Sequence, residues 1–241
     1  MTILTMTGCS QTTASSQPAH QACVALLHGL ARTSNSMNAM AQALKEAGYH
    51  TINIDYESRK HPIEQLAMQV IPEAVQRSKD AKCSTLHFVT HSMGGIVLRY
   101  YLAQHPIDNL GRVVMLSPPN QGSQAADILR NNTLYQWFNG PAGKQMITGP
   151  AGITAALGPV NFPVGIITGN EHTLFDAYFS NIITGEDDGK VSVESAKVEG
   201  MTDFLVVPYP HTYIMNKKEV IAQTIHFLQQ GRFKNRVSSP D

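Results

Sequence analysis

Six short apolar runs recur along the chain, each separated from the next by a longer stretch, and this alternation restricts the possible folds more than any other feature. The runs are CVALLH (23–28), HTINIDY (50–56), TLHFVT (85–90), RVVMLS (112–117), VGIIT (164–168) and FLVV (204–207). All are rich in aliphatic and β-branched residues and too short for helices, so they read as buried strands. Amphipathic stretches lie between several of them. Residues 35–48 place Met37, Met40, Ala41 and Leu44 on one face and stop at Gly48. Residues 63–80 form a second helix, which Pro72 is expected to kink or divide. A third starts near Met93, and a last one, 216–230, buries Val220, Ile221, Ile225 and Leu228. Repeated strand–helix units predict an α/β fold: about six parallel strands, apolar throughout because helices cover both faces. Ligands of such sheets bind beyond the strand C-termini, so chemistry is to be sought among polar residues at those ends.

The 241 residues, 42% hydrophobic and 15% charged, suit one domain over residues 22–241. Eighteen basic residues balance eighteen acidic ones, which gives no bulk attraction to nucleic acid and favours a small-molecule partner. No run approaches the roughly 18 apolar residues of a membrane-spanning helix. Residues 1–21 contain no Lys, Arg, Asp or Glu and read as a leader or flexible tether. Within them Met6-Thr7-Gly8-Cys9 resembles a bacterial lipoprotein box. That resemblance implies a lipidated Cys9, membrane association through it, and an exported or lipid-anchored envelope protein; a cytoplasmic location is the alternative if the segment is not a leader. Cys23 and Cys83 each precede a strand expected to lie beside the other's, so a disulfide between them would fit export, with two free buried thiols as the alternative.

Residues 118–162 break the rhythm, with many Gly, Pro and Asn around one amphipathic segment, 125–138. Inserted at a strand's C-terminal edge, they read as a small cap or lid over the site, with Leu129, Leu134, Trp137 and Phe138 as acyl-binding candidates. A helix packing its apolar face on the core is the other reading.

The third strand ends in His91-Ser92-Met93-Gly94-Gly95 and the chain restarts at once as a helix. A serine at so sharp a turn needs small neighbours, which Gly94 and Gly95 supply, and it stands beside the free N–H groups of a helix start. A plain helix cap is the alternative role for Ser92. Here the sequence resembles the nucleophile elbow, G-x-S-x-G, of the α/β-hydrolase family, with Thr90 where the family usually has Gly and its branched Cβ expected to crowd the turn.

That family's order along the chain is nucleophile, acid, base. His211 follows the last strand and precedes the last helix, where its ring can reach Ser92; His172 is a rival base, and His226 on an apolar helix face reads as structural. For the acid, Asp188-Gly189-Lys190-Val191 resembles the family's turn in which Asp precedes Gly-x-Val. Asp187 is the near alternative, and a solvated or cation-binding Glu186-Asp187-Asp188 loop the plainer one. Leu27-His28-Gly29-Leu30 resembles the His-Gly-x motif of bacterial lipases. It implies an oxyanion hole made by the backbone N–H groups of Leu30 and Met93, while His28 alone could be a core histidine. Ser117-Pro118-Pro119-Asn120-Gln121-Gly122-Ser123 resembles the lipases' Pro-x-x-Gly-Ser segment.

These motifs run from about Val24 to Leu228, and together the resemblance implies a minimal α/β-hydrolase similar to small bacterial lipases and esterases. It implies a serine carboxylic ester hydrolase acting on an acyl ester or lipid through Ser92, His211 and Asp188, with no metal or organic cofactor required. Activity is expected to fall below about pH 6.5, where a free histidine base protonates. Acyltransferase, thioesterase and lysophospholipase activities use the same residues and stay open, and a non-catalytic binding module is a further alternative.

Overall fold

The computed structural model describes residues 22–173 and 183–234; the expected leader and Cys9 lie outside the described residues. Six strands form one parallel sheet in the order β2-β1-β3-β4-β5-β6. They are β1 (Ala22–Leu27), β2 (His50–Ile54), β3 (Thr85–His91), β4 (Leu110–Leu116), β5 (Val164–Gly169) and β6 (Asp203–Val207). Each lies within two residues of the run that predicts it. The central β3 is buried from Leu86 onward, as its unbroken apolar sequence requires, whereas the edge strand β2 alternates with partly exposed positions and the edge strand β6 is partly exposed up to Val206.

Helices cover both faces. On one, α1 (Asn38–Glu46) and α7 (Lys218–Gln230) share a core with Val24, Leu26, Val89 and Val114; on the other, α2 (Ile63–Asp80) and α3 (Met93–Leu102) pack over Ala25, Leu27, Phe88 and Met115. Neighbouring residues on one strand thus feed opposite cores, the period-two geometry of a sheet sealed on both sides. Burying each of the larger of these side chains contributes about 1.5–3 kcal/mol.

Three expectations need correction. Helix α2 is not divided at Pro72 but continues through it as one element. The carbonyl that Pro72 leaves without a donor belongs to Met68, which is 49% exposed, so the defect faces solvent while Leu66, Val70, Ile71 and Ala74 hold the inner face on the core. Residues 125–138 are not one helix: α4 (Gln124–Leu129) ends before α5 (Thr133–Gln145), and α5 is itself kinked at Gly140, φ +65°, just before Pro141. At the C-terminus a 3₁₀ turn, His211–Asn216, precedes α7, whose buried face is rotated from the expected one. Gln223 and Thr224 are buried and Ile221 and Ile225 only half-buried, because the Gln223 amide bonds both backbone groups of Lys234 and fastens the following chain.

Cys23, near the start of β1, and Cys83, two residues before β3, form a disulfide with Cα atoms 5.7 Å apart. The parallel register sets Cys23 opposite Leu86, which brings the two cysteines within reach. The bridge lies at the sheet edge opposite the strand ends that carry the site.

Candidate active site

Ser92 sits where β3 ends and α3 begins, at φ +52° and ψ −124°, a conformation that costs a non-glycine residue of order 1–3 kcal/mol. Its N–H donates to the Leu116 carbonyl (2.8 Å) and its carbonyl accepts from Gly95 (3.0 Å), so the turn is fixed from both sides. The Ser92 side chain makes no capping bond to the helix it precedes. Its Oγ lies 3.0 Å from His211 Nε2 instead, which decides against the plain helix cap.

The glycines of this turn are there for space. A Cβ on Gly94 would come 2.8 Å from the Leu27 carbonyl and 2.9 Å from that of His28, both backbone atoms that cannot swing away. Thr90 is accommodated by Gly95, whose missing Cβ would sit 3.2 Å from Thr90 Oγ1. The glycine absent before the serine is thus compensated by one after it. Gly29 completes the set: a Cβ there would meet His91 Nδ1 at 2.9 Å and Ser92 Cβ at 3.1 Å.

His211 projects from the 3₁₀ turn after β6. Its ring Nδ1 is 2.8 Å from Asp188 Oδ2, with Asp188 fully buried and His211 4% exposed. Asp188 Oδ1 accepts the N–H groups of Lys190 (3.1 Å) and Val191 (2.9 Å), which fix the carboxylate by the turn chemistry of an Asp two and three residues upstream. Asp187 takes the neighbouring task, accepting the Gly189 N–H at 2.7 Å; the two adjacent acids are separated by what they face. His172 is exposed in the loop after β5 and His226 half-buried on α7; neither lines the cavity at Ser92. Among the described residues no group of three or more His, Cys, Asp or Glu side chains converges as a metal site.

The loop after β1 runs beside the serine. His28 is buried, stacked on Tyr56 at 4.0 Å between ring centres; its Nδ1–H donates to the Gly29 carbonyl (2.8 Å), and its Nε2 accepts the Tyr56 N–H (3.2 Å). Burial pushes its pKa below the ordinary histidine value and that of the Tyr56 phenol up. The Ala31 N–H is taken by Ser58 Oγ at 3.1 Å, while Leu30 lines the cavity beside Ser92. Met93 provides the first N–H of α3, which has no carbonyl one turn earlier to bind.

Two residues escape the sequence reading. His91 is buried beneath the site, donating from Nε2 to the His211 carbonyl at 3.1 Å; the signal is its place just before the serine on an apolar strand. Arg99, the one charge in the apolar run of α3, is 4% exposed and donates to the Asn120 carbonyl and amide oxygen (3.0 and 3.1 Å) and to the Gly158 carbonyl (2.7 Å). Burial lowers its pKa to about 10. Asn120 in turn donates to Ala196, in the single turn α6 (Val193–Ala196) that follows the acid loop.

A cavity of about 430 Å³ opens at Ser92 and His211. Residues of the 118–162 stretch, among them Pro119, Ala126, Leu129 and Met146, form one wall, and Leu30 and Val191 face it. Trp137 and Phe138 belong to α5, but their side chains lie outside the described residues. A hydroxyl, an imidazole and a buried carboxylate in hydrogen-bonded line beside a cavity with apolar walls and a charged margin are equipped for proton removal from the hydroxyl and acyl transfer to it.

Comparison with known proteins agrees with this architecture. The mature form of the Bacillus licheniformis lipase BlEst2 is similar with a TM-score of 0.75 and 20% identity, covering 90% of this chain and 96% of that one. The phospholipase PlaB from Legionella pneumophila gives 0.68 and 18%, over 89% of this chain and 60% of its own. The metagenomic carboxyl esterase MGS0156 gives 0.62 and 17%, over 83% and 69%. At these identities the likeness establishes the fold, that of the α/β-hydrolases. No curated protein sequence matches the chain. The family model for palmitoyl protein thioesterase matches residues 23–150, a span that contains Leu30, Ser92 and Met93 and ends before Asp188 and His211. With more than half of its length matched in this way, the chain belongs to the palmitoyl protein thioesterase family, on an α/β-hydrolase fold.

Proposed function

We propose that the protein is a serine carboxylic ester hydrolase whose nucleophile is Ser92, base His211 and orienting acid Asp188. The observation that carries this reading is the unbroken hydrogen-bonded line from Ser92 Oγ through both nitrogens of His211 to Asp188 Oδ2. His211 Nε2 removes the hydroxyl proton as Oγ adds to the ester carbonyl, and the same proton passes to the departing alcohol as the acyl-enzyme forms. Water, deprotonated in its turn by His211, releases the acid. Asp188 holds the ring in the tautomer that leaves Nε2 free to accept. The N–H groups of Leu30 and Met93 form the oxyanion hole, each contributing about 3 kcal/mol to transition-state stabilisation.

Residues 118–162 act as a partial cap, and their apolar residues on the cavity wall receive the acyl chain, with Trp137 and Phe138 as further acyl-binding candidates. A thioester is the second substrate class to weigh, on the strength of the family match. The machinery serves either leaving atom. An alcohol in place of water would make the protein an acyltransferase. The Cys23–Cys83 disulfide supports export to an oxidising compartment, with Cys9 as the point of lipid attachment.

Hydrolysis of p-nitrophenyl esters from acetate to palmitate, with a palmitoyl thioester alongside, tests the reading in wild type and in Ser92→Ala. Turnover by the wild type that is lost in the variant supports Ser92 as nucleophile, and the chain-length profile sizes the acyl site. Equal turnover by both proteins would overturn the assignment.

A further inference from the structure

Two of the side chains that line the cavity at Ser92 are cations, Arg32 and Lys190, and no cavity-lining residue is an acid. Two nearby carboxylates are engaged elsewhere. Asp188 is fully buried and bound to His211 and two backbone N–H groups. Asp127, on the wall helix α4, commits both oxygens to Thr148, at 2.9 Å to its N–H and 2.6 Å to its hydroxyl. Among the described residues neither Arg32 nor Lys190 takes part in an ion pair within 4.0 Å.

Arg32 is held through its side chain and Lys190 through its backbone. Arg32 follows the Leu30 turn and its half-buried guanidinium donates to the Thr212 carbonyl at 3.3 Å, one residue beyond His211. Lys190 is anchored at its backbone: its N–H donates to Asp188, and its carbonyl accepts from Ser123 Oγ at 3.0 Å. Their field reaches the cavity floor. Burial above all, with the Arg32 and Lys190 charges among the smaller causes, holds His91 well below the ordinary histidine value. Since the whole chain is formally neutral, this positive potential is a local feature of the cavity.

We propose that the cavity selects acyl esters or thioesters whose leaving group carries a phosphate, with Arg32 and Lys190 as the residues that recognise it. This deepens the hydrolase reading and rests on it. The leaving group must lie on the His211 side of the reacting carbon, because His211 Nε2 delivers its proton. Arg32, fastened to Thr212, stands on that side. The acyl chain takes the other part of the cavity, where Leu30, Leu129 and Met146 offer no charge. An anion beside the anchored Arg32 and the exposed Lys190 ammonium is attracted in the ground state and steered on approach. A guanidinium suits a phosphate through its planar fork, and an ammonium adds a second, mobile contact.

Two matched substrate pairs separate the sources of the phosphate: octanoylglycerol against octanoylglycerol phosphate, and S-octanoyl-N-acetylcysteamine against octanoyl-CoA. The readout is the ratio of kcat/KM, anionic over neutral, within each pair at low ionic strength. The wild type should favour the anionic member by roughly tenfold in at least one pair, with the preference shrinking as salt is added. Arg32→Gln and Lys190→Gln should each lower the ratio, Arg32→Glu should invert it, and Arg32→Lys should keep most of it. The pair that shows the effect names the source, a phosphorylated alcohol or a phosphorylated thiol. A wild-type ratio at or below one in both pairs, or a ratio above one that all variants leave unchanged, overturns the proposal. Failure of the hydrolase reading looks different: no hydrolysis of the neutral members by wild type, or equal hydrolysis by Ser92→Ala.

Discussion

Asp188 grips His211 twice: its carboxylate Oδ2 meets the ring Nδ1 at 2.8 Å, and its backbone carbonyl accepts the His211 N–H at 2.9 Å. The two contacts separate orientation from attachment. Asp188→Asn keeps the backbone contact, and with it the position of the loop, but offers the ring a neutral partner that favours the wrong tautomer. Its kcat on p-nitrophenyl butyrate should drop by roughly 10³–10⁴-fold. Asp187→Asn, which alters the Gly189 turn and leaves the His211 ring contact intact, should cost less than a hundredth as much. Comparable losses in the two variants would mean that the acid has been misassigned.

Three buried histidines make stability depend on pH. His28 Nε2 accepts the Tyr56 N–H, His87 Nδ1 accepts the Arg112 N–H at 2.7 Å, and His91 is enclosed beneath the site. Burial lowers the pKa of all three below the ordinary 6.5, and protonating His28 or His87 would also destroy an acceptor. Below about pH 6.5 the unfolded chain binds protons there that the fold refuses. Stability therefore falls as pH falls, by up to about 1.4 kcal/mol per unit for each histidine. Urea midpoints at pH 7.5, 6.5 and 5.5 should decline in that order, and constant midpoints would show that these rings accept protons in the fold.

The Cys23–Cys83 bridge closes a loop over a sequence separation of 60. Constraining the unfolded chain to that extent stabilises the fold by about 4 kcal/mol in the chain-entropy account. The Cys23→Ala/Cys83→Ala double variant should lose stability on that scale in denaturant titrations. Alkylation of both thiols on the native, unreduced protein would show that the bridge does not form.

At the elbow, Thr90 Oγ1 is buried and has no hydrogen-bond partner among the described residues. Thr90→Val keeps the shape and removes that hydroxyl, so it should raise stability by about 1 kcal/mol. Gly94→Ala drives a methyl against the Leu27 and His28 carbonyls and should cost about 1–3 kcal/mol, together with at least tenfold in turnover, because the Ser92 turn shifts with it. A stable, fully active Gly94→Ala would contradict the packing described around the elbow.

Much of this could be read from the residues. The sheet was legible because strands buried on both faces are continuous apolar runs, and the serine, acid and base candidates because each follows such a run in a fixed order. The sequence left Asp187 and Asp188 as alternatives; which carboxylate faces the ring depends on a turn closed by the Lys190 and Val191 N–H groups, and periodicity does not encode that. The Cys23–Cys83 pairing was legible as strand adjacency. The break of 125–138 into two helices was not, because Asn131 and Asn132 interrupt an amphipathic pattern without a Gly or Pro to mark the stop. Arg99 and His91 were missed for a common reason: a lone polar residue inside an apolar run shows its partners only when distant loops are brought to it.

Arg99 has a consequence for how such a protein diversifies. A single guanidinium on the helix that begins just after Ser92 pins both Asn120 and Gly158, the two ends of the stretch that walls the cavity, and through Asn120 it reaches the turn behind the acid loop. The intervening chain is a cassette clasped at its base. It can lengthen, shorten or change its lining while Ser92, His211 and Asp188 stay in register, so the shape of the cavity and the geometry at the serine are separately heritable on this scaffold.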